Sequence, residues 1–169
     1  MNVYGVIGWK NAGKTTLVER LVAELCGRGY SVSTVKHTHH RVDVDQPGKD
    51  SHRHRQAGAH QVILSSSSRW VVMTELRDAP EASLEELLSH LAPVDIVIVE
   101  GYKRDRHPKV EVWRAERGQP LIAAEDPTVR AVASNDQPTT DRPVIGLDDV
   151  PAIADFLLAD LGLGLRKSA

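Results

Sequence analysis

The sequence predicts an α/β fold: a doubly wound, mainly parallel sheet with helices on both faces and a short β excursion. Three observations support this fold class. Short apolar runs typical of buried strands alternate with amphipathic helical segments along the chain. A glycine-rich loop at residues 8–16 joins the first strand to the first helix. A second apolar run, four consecutive Ile and Val residues, ends in the acidic residue Glu100.

The glycine-rich loop (residues 8–16) follows the pattern of Gly, four residues, Gly-Lys-Ser/Thr. In this pattern backbone N–H groups surround phosphate oxygens, the lysine neutralises the β- and γ-phosphates, and the following hydroxyl ligates Mg²⁺. An ordinary glycine turn rarely combines this spacing with a strand before it and a helix after it. We therefore predict one P-loop NTPase-like nucleotide-binding domain over residues 1–169. Its candidate nucleotide-binding residues are Gly8, Trp9, Lys10, Asn11, Ala12, Gly13, Lys14, Thr15 and Thr16.

The other elements follow from hydrophobic periodicity and turn residues. Strands are predicted at residues 3–7, 31–35, 61–64, 70–74, 95–100, 109–113, 129–134 and 144–145. Helices are predicted after the glycine-rich loop as far as Gly27 or Gly29, at 50–57, from the capping box at 83–86 to Pro93, and after a cap at Asp148 or Asp149. Residues 109–113 alternate polar and apolar side chains, which predicts a half-exposed strand.

Glu100 is predicted to reach the carboxyl edge of the sheet, where the phosphate site lies. Its functional role would be to bind Mg²⁺ or to order water, and the alternative is a strand-end carboxylate in solvent. We favour the first role because a phosphate loop precedes it in the chain. The candidate catalytic residues are therefore Lys14 and Glu100, and the candidate metal ligands are Thr15, Glu100 and Asp45.

Composition excludes several classes of protein. With 21 basic and 23 acidic side chains the formal charge is −2, which gives no general attraction to nucleic acid or anionic lipid. Seven aromatic side chains are too few for a base-stacking platform. No apolar run approaches the roughly 20 residues of a membrane span, and the N-terminus enters the first strand directly. We expect a cytoplasmic protein with no nucleic-acid and no membrane partner, whose single cysteine, Cys26, packs against the core.

Five of the eight histidines, His37, His39, His40, His52 and His54, fall within eighteen residues. Three interpretations stay open. The imidazoles can bind a transition metal, although no thiol is nearby and the spacing matches no ordinary zinc framework. Alternatively, Lys36, His37, Lys49 and the nearby histidines surround an anion, with Asp43 or Asp45 directed towards Mg²⁺. The third interpretation is a solvated polar loop. We expect residues 37–51 to recognise a phosphorylated ligand or partner and not to hold permanent zinc.

Several strings together resemble the MobB family of molybdopterin-guanine dinucleotide biosynthesis adaptor proteins. They are the glycine-rich loop, Lys36-His37-Thr38-His39-His40, residues 43–51, Arg69-Trp70, Met73-Thr74-Glu75 and Val99-Glu100-Gly101-Tyr102-Lys103. The similarity runs from about residue 3 to residue 160. The resemblance implies a GTP-binding, weakly GTP-hydrolysing homodimer that assists the enzyme attaching GMP to molybdopterin.

By matching position, the resemblance implies that Gly8, Gly13, Lys14, Thr15 and Thr16 hold GTP and Mg²⁺, with Glu100 nearby. Molybdopterin or its guanine dinucleotide is a candidate ligand of His37, His39, His40 and Lys49. The protein would be mainly an accessory protein and at most a weak GTPase, since it shows no water-positioning Gln motif and no clear arginine finger.

Two features depart from related patterns. Lys10 lies two places after Gly8, whereas the signature lysine of the related partition ATPases directly follows the first glycine. We therefore do not predict that Lys10 reaches across a dimer. The Asn-Lys-x-Asp string by which many GTPases select guanine is absent. Ser134-Asn135-Asp136 ends a buried strand and can contact a base edge, but the sequence does not decide between a guanine and an adenine nucleotide.

Two alternative functions are considered. One is a small-molecule kinase, for which Arg53, Arg55, Arg104 and Arg106 offer positive charge without a coherent lid. The other is a nucleotide-gated metallochaperone.

Overall fold

A computed structural model of the protein describes residues 1–38, 43–164 and 166. The chain divides into two compact units. Unit 1 comprises Met1–His37 and Leu84–Ala169, and unit 2 comprises Thr38–Ser83. The single domain over residues 1–169 stays a prediction beside this division.

Eight strands and four α-helices make up the described chain, and each lies within a few residues of a predicted element. In chain order they are β1 (Asn2–Ile7), α1 (Lys14–Gly27), β2 (Val32–Lys36), α2 (Asp50–Gln56), β3 (Gln61–Ser65), β4 (Trp70–Thr74), α3 (Leu84–Ser89), β5 (Ile96–Glu100), β6 (Lys109–Val112), β7 (Val129–Ala133), β8 (Val144–Ile145) and α4 (Val150–Asp160). Of the two aspartates predicted to cap α4, Asp149 does so: its Oδ1 accepts from the backbone N–H of Ala152 at 3.1 Å.

Unit 1 contains a six-stranded sheet of order β2-β5-β1-β6-β7-β8, and every pair in it is parallel. The register sets Glu100 opposite Val6 of β1 and also opposite Lys36 of β2. Because the strands are parallel, all their carboxyl ends meet at one edge of the sheet. The glycine-rich loop therefore leaves β1 at the edge where β2 and β5 end.

Helices cover both faces of this sheet, as doubly wound folds require. On one face α1 and α4 pack with alternate strand residues in a cluster that includes Val6, Leu21, Ile98 and Leu157. The other face holds Leu84 of α3 against Val97 and Val99, with a smaller cluster around Ile7 beside the 3-10 helix Ile122–Ala124. Each fully buried Leu, Ile or Val side chain contributes about 1.5–3 kcal/mol. The predicted fold class is confirmed.

The prediction of a half-exposed β6 is wrong, because all four of its residues are buried. β6 lies between β1 and β7, and its two charged side chains find partners inside the protein. The Lys109 ammonium donates to the Asp105 carbonyl and the Thr128 hydroxyl. The Glu111 carboxylate accepts from the backbone N–H groups of Ile122 and Ala123, at 2.9 and 2.8 Å. These bonds offset the cost of removing the charges from water.

Burial also changes the pKa of Glu111 in β6. Burial raises the pKa of the Glu111 carboxyl, although the two backbone N–H groups act in the opposite direction.

The prediction for Cys26 is also corrected. It is exposed, so the predicted packing role is wrong.

Unit 2 contains the β excursion, an antiparallel hairpin of β3 and β4 preceded by α2. Val62 and Met73 lie opposite each other and are buried, whereas Ile63, Trp70 and Val72 on the other face are exposed. Across both units, no helix in the described residues is long and apolar enough to cross a membrane.

Candidate functional site

The backbone of the glycine-rich loop takes conformations that few side chains tolerate. Gly8, Asn11 and Gly13 have φ angles of +143°, +62° and +106°. A Cβ on Gly8 would lie 2.4 Å from the carbonyl oxygen of Val112, at the end of β6. Only glycine fits there, since L-residues are strained at this φ and the neighbouring atom belongs to the backbone. The loop thus passes tightly over the end of the adjacent strand.

Helix α1 begins directly after this loop without a side-chain cap. Its first residue is Lys14, and the preceding Gly13 has no side chain to bond the N–H groups of the first turn. Those N–H groups have no partner within the helix, and the helix dipole adds positive potential at the same end. This geometry can bind an anion such as phosphate.

Three lysines surround the start of α1. The Lys14 ammonium donates to the Trp9 carbonyl at 2.9 Å, spanning the loop. Burial lowers the pKa of Lys14, and the nearby ammonium groups of Lys103 and Lys36 lower it too, whereas Glu100 opposes them. The three ammonium groups thus exceed the one carboxylate near Lys14, as a site for a polyanion requires.

Thr15 and Glu100 form a pair of oxygen donors beside these lysines. The Thr15 hydroxyl donates to Glu100 Oε1 at 2.8 Å. The Lys36 ammonium lies 3.2 Å from the Thr15 hydroxyl and 3.3 Å from Glu100 Oε2. A hydroxyl and a carboxylate are ligands that Mg²⁺ prefers, and the ammonium between them shows that the pair attracts a cation. These residues therefore fit the predicted magnesium site, and Glu100 lies where the sequence predicted it.

Two cationic side chains at this site were missed as candidates by sequence reasoning. The Lys103 ammonium lies 4.1 Å from the centroid of the Trp9 ring, in a cation–π contact. Arg114 Nε donates to the Ala12 carbonyl at 3.0 Å. Both follow strands at the carboxyl edge of the sheet, Lys103 after β5 and Arg114 after β6. That position was the sequence signal that could have found them.

The histidine-rich loop is only partly described. The backbone N–H of His37 donates to the carbonyl of Glu100 at 3.0 Å. Its ring lies 5.0 Å from the ring of Tyr102, centroid to centroid. His37 is therefore beside Glu100, while His39 and His40 lie outside the described residues. Lys49 is exposed immediately before α2, in unit 2. The ligand roles of these four residues stay predictions.

Asp45, the third candidate metal ligand, belongs to unit 2. Its Oδ1 accepts from the Ser51 hydroxyl at 2.8 Å, and its Oδ2 accepts from Arg55 Nε at 3.1 Å. Burial would raise the pKa of this carboxyl, but its hydrogen bonds outweigh burial and hold the pKa below its ordinary value. Arg55 also pairs with Asp43 and Glu75. Asp45 thus helps to organise unit 2, and its metal role stays a prediction.

The remaining candidates lie on the surface of the loop and helix. Lys10, Asn11 and Thr16 are exposed. Within the residues that the structure describes, no group of three or more His, Cys, Asp or Glu side chains is placed to hold a metal ion.

Comparisons with known proteins identify a family and several relatives. Residues 3–135 match the family described as Molybdopterin guanine dinucleotide synthesis protein B, MobB. The chain is 40% identical to the molybdopterin-guanine dinucleotide biosynthesis adapter protein of Escherichia coli K12 over 153 residues, covering 89% of this chain and 87% of the relative. It is 41% identical to the protein of that name from Haemophilus influenzae over 155 residues, covering 90% and 85%.

A solved structure also resembles this fold. The crystal structure of a MobB homologue from Bacillus stearothermophilus superposes with a TM-score of 0.71 and 30% sequence identity. The match covers 96% of this chain and 99% of that one.

Proposed function

The chain belongs to the MobB family of molybdopterin guanine dinucleotide synthesis proteins, and from this premise we propose that it is a GTP-binding adaptor in molybdenum cofactor biosynthesis. In this role it assists the enzyme that attaches GMP to molybdopterin, and its own GTPase activity is weak. The observation that carries the proposal is the uncapped start of α1, surrounded by Lys14, Lys36 and Lys103 and adjoining the Thr15–Glu100 pair.

Each of these residues has a separate task in the proposed site. Lys14 and the N–H groups of the first turn of α1 neutralise and orient the β- and γ-phosphates. Thr15 and Glu100 would hold Mg²⁺, which supplies positive charge to the same phosphates when it is bound. Lys36 now neutralises the Thr15–Glu100 pair, so an arriving cation replaces a charge that the site already attracts.

We also propose that the protein is a cytoplasmic homodimer, as the resemblance implies. In unit 2 the hairpin exposes Ile63, Trp70 and Val72 on one face, and a second copy of the chain would remove these apolar side chains from water. Sedimentation velocity at micromolar concentration should show a species of twice 18.6 kDa. A species of 18.6 kDa alone would contradict the dimer.

The two alternative functions have weaker support. A kinase needs a coherent lid of arginines, and one of the four candidates, Arg55, is paired with Asp43, Asp45 and Glu75. A metallochaperone needs a cluster of metal ligands; the described residues offer none of three or more, and His39 and His40 lie outside them. Phosphorylation of a small-molecule acceptor at a steady-state rate would favour the kinase, and stoichiometric zinc in the purified protein would favour the metallochaperone.

Isothermal titration calorimetry with GTP and Mg²⁺ tests the nucleotide site. Lys14→Ala removes a charge-assisted bond to phosphate, so GTP affinity should fall about 10- to 100-fold while the circular dichroism spectrum stays unchanged. Arg104→Ala is the matched control, because it also removes one positive charge from unit 1 but at an exposed position. Equal GTP affinity of the wild type and Lys14→Ala would remove the glycine-rich loop from the nucleotide site.

A further inference from the structure

We propose that Asn135 and Asp148 recognise the base of the nucleotide and select guanine over adenine. This inference rests on the proposed function and extends its site beyond the phosphates. Asn135 lies two residues after the end of β7, and Asp148 lies three residues after the end of β8. The sheet order β1-β6-β7-β8 brings the ends of both strands to the edge that carries the glycine-rich loop.

A continuous set of contacts joins the glycine-rich loop to this pair. Arg114 Nε donates to the carbonyl of Ala12 at 3.0 Å, which places its side chain against the loop. The next residue, Ala115, donates its backbone N–H to Asp136 Oδ2 at 2.8 Å. Asp136 therefore ties the segment after β7 to the segment after β6. Its neighbour Asn135 donates from Nδ2 to Asp148 Oδ2 at 2.6 Å.

Helix α1 also contacts this pair, through Arg20. Arg20 Nη1 donates to Asp148 Oδ1 at 3.1 Å. Arg20 lies six residues after Lys14, which is roughly 9 Å along the helix axis. A nucleotide whose phosphates lie at the start of α1 would have its ribose over Arg114 and its base towards Asn135 and Asp148.

Two acidic side chains close to this pair in sequence already bond to the backbone. Asp136 holds the N–H of Ala115, and Asp149 caps α4 through the N–H of Ala152. Asp148 bonds to the side chains of Asn135 and Arg20, and its own side chain is 72% exposed. Hydrogen bonds from Asn135 and Arg20 hold the pKa of the Asp148 carboxyl below its ordinary value, so the group is ionised at neutral pH.

The chemistry of this pair matches guanine. An ionised carboxylate only accepts hydrogen bonds, whereas an amide nitrogen donates them. Guanine presents its N1–H and 2-amino donors next to the O6 acceptor, so Asp148 can accept from the donors while Asn135 donates to O6. Adenine would direct the lone pair of N1 at the carboxylate and has no 2-amino group. The arrangement therefore favours guanine by attraction and disfavours adenine by repulsion.

The experiment replaces the carboxylate of Asp148 by an amide. The affinities for GTP, ATP and XTP are measured with Mg²⁺ by titration calorimetry. Xanthine carries an acceptor oxygen where guanine carries its 2-amino donor. Asp148→Asn replaces an acceptor by a donor, so GTP affinity should fall about 10-fold or more and XTP affinity should rise by a similar factor. Asp149→Asn is the matched control, because Asn caps a helix as well as Asp does and both affinities should stay unchanged.

Asn135→Ala gives a second variant, for which the ratio of GTP to ATP affinity should move towards one. The inference is overturned if the wild type binds ATP as tightly as GTP, or if Asp148→Asn binds GTP and XTP as the wild type does. If GTP binding still depends on Lys14 in either case, the proposed function stands without this base site. If the wild type binds no nucleotide with Mg²⁺, the proposed function itself fails and the inference fails with it.

Discussion

Replacing Gly8 by alanine should strongly destabilise the protein, because the added methyl group meets the backbone of a neighbouring strand. Gly8 has a φ of +143°, and its Cβ would lie 2.4 Å from the carbonyl oxygen of Val112. The matched control is Gly27→Ala. Gly27 is the last residue of α1, and a Cβ there would have no atom within 4 Å. The two variants add the same group to the same chain.

The expected changes in the free energy of unfolding have opposite signs for the two variants. At Gly8 the strained backbone costs about 1–3 kcal/mol, and moving the Val112 carbonyl costs about another 1–3 kcal/mol. The total of about 2–6 kcal/mol is a large share of the roughly 5–15 kcal/mol by which native domains are stable. At Gly27 the alanine should stabilise the protein by about 0.5–1 kcal/mol, since it lowers the entropy of the unfolded chain and favours the helix.

Urea unfolding followed by circular dichroism measures both changes. The midpoint should fall markedly for Gly8→Ala and stay equal or rise slightly for Gly27→Ala, with similar m-values for both. A wild-type midpoint for Gly8→Ala would show that the loop does not pass over β6 as described. Loss of stability in both variants to the same extent would show that the geometry around Gly8 has no special role.

Three further predictions concern metal, pH and turnover. Thr15→Ala should lower GTP affinity more in Mg²⁺ than in EDTA, and equal losses in the two titrations would refute its metal role. Burial lowers the pKa of His107 from 6.5 to about 4, so between these values the unfolded chain binds more protons. Stability should then be full above about pH 6.5 and fall by on the order of 2–3 kcal/mol towards pH 4, a loss that urea unfolding should find reduced in His107→Asn. GTP hydrolysis by the purified protein should be slow, about 10⁻⁴–10⁻² s⁻¹, and several turnovers per second in a phosphate-release assay would contradict an accessory role.

Local sequence pattern was enough to predict most elements and the position of Glu100. A short run of four β-branched residues before Glu100 favours a buried strand, and a parallel strand delivers its last residue to the carboxyl edge. The glycine-rich loop fixes the start of α1 in the same way. These are short-range features, in which the residues that determine the structure are neighbours in the chain.

The burial of β6 and part of the site could not be predicted in this way, because they depend on partners distant in sequence. The alternation of polar and apolar residues in β6 predicts one solvent-exposed face. Instead Lys109 is buried and donates to Thr128, and Glu111 is buried and accepts from the N–H groups of Ile122 and Ala123. Lys36 contacts Thr15 and Glu100 only because β2 pairs in register with β5. The sequence of β2 alone does not show that β5 is its neighbour in the sheet.

The central proposal, a nucleotide-dependent adaptor, is tested most directly by reconstitution with the GMP-transferring enzyme. Molybdopterin, GTP, Mg²⁺ and that enzyme are incubated with the wild-type protein, with Lys14→Ala, or with Arg104→Ala, and the guanine dinucleotide formed is quantified by chromatography. We expect the wild type and Arg104→Ala to raise the yield equally, and Lys14→Ala to leave it at the level of the enzyme alone. An equal rise with Lys14→Ala, or no rise with the wild type, would contradict the proposal.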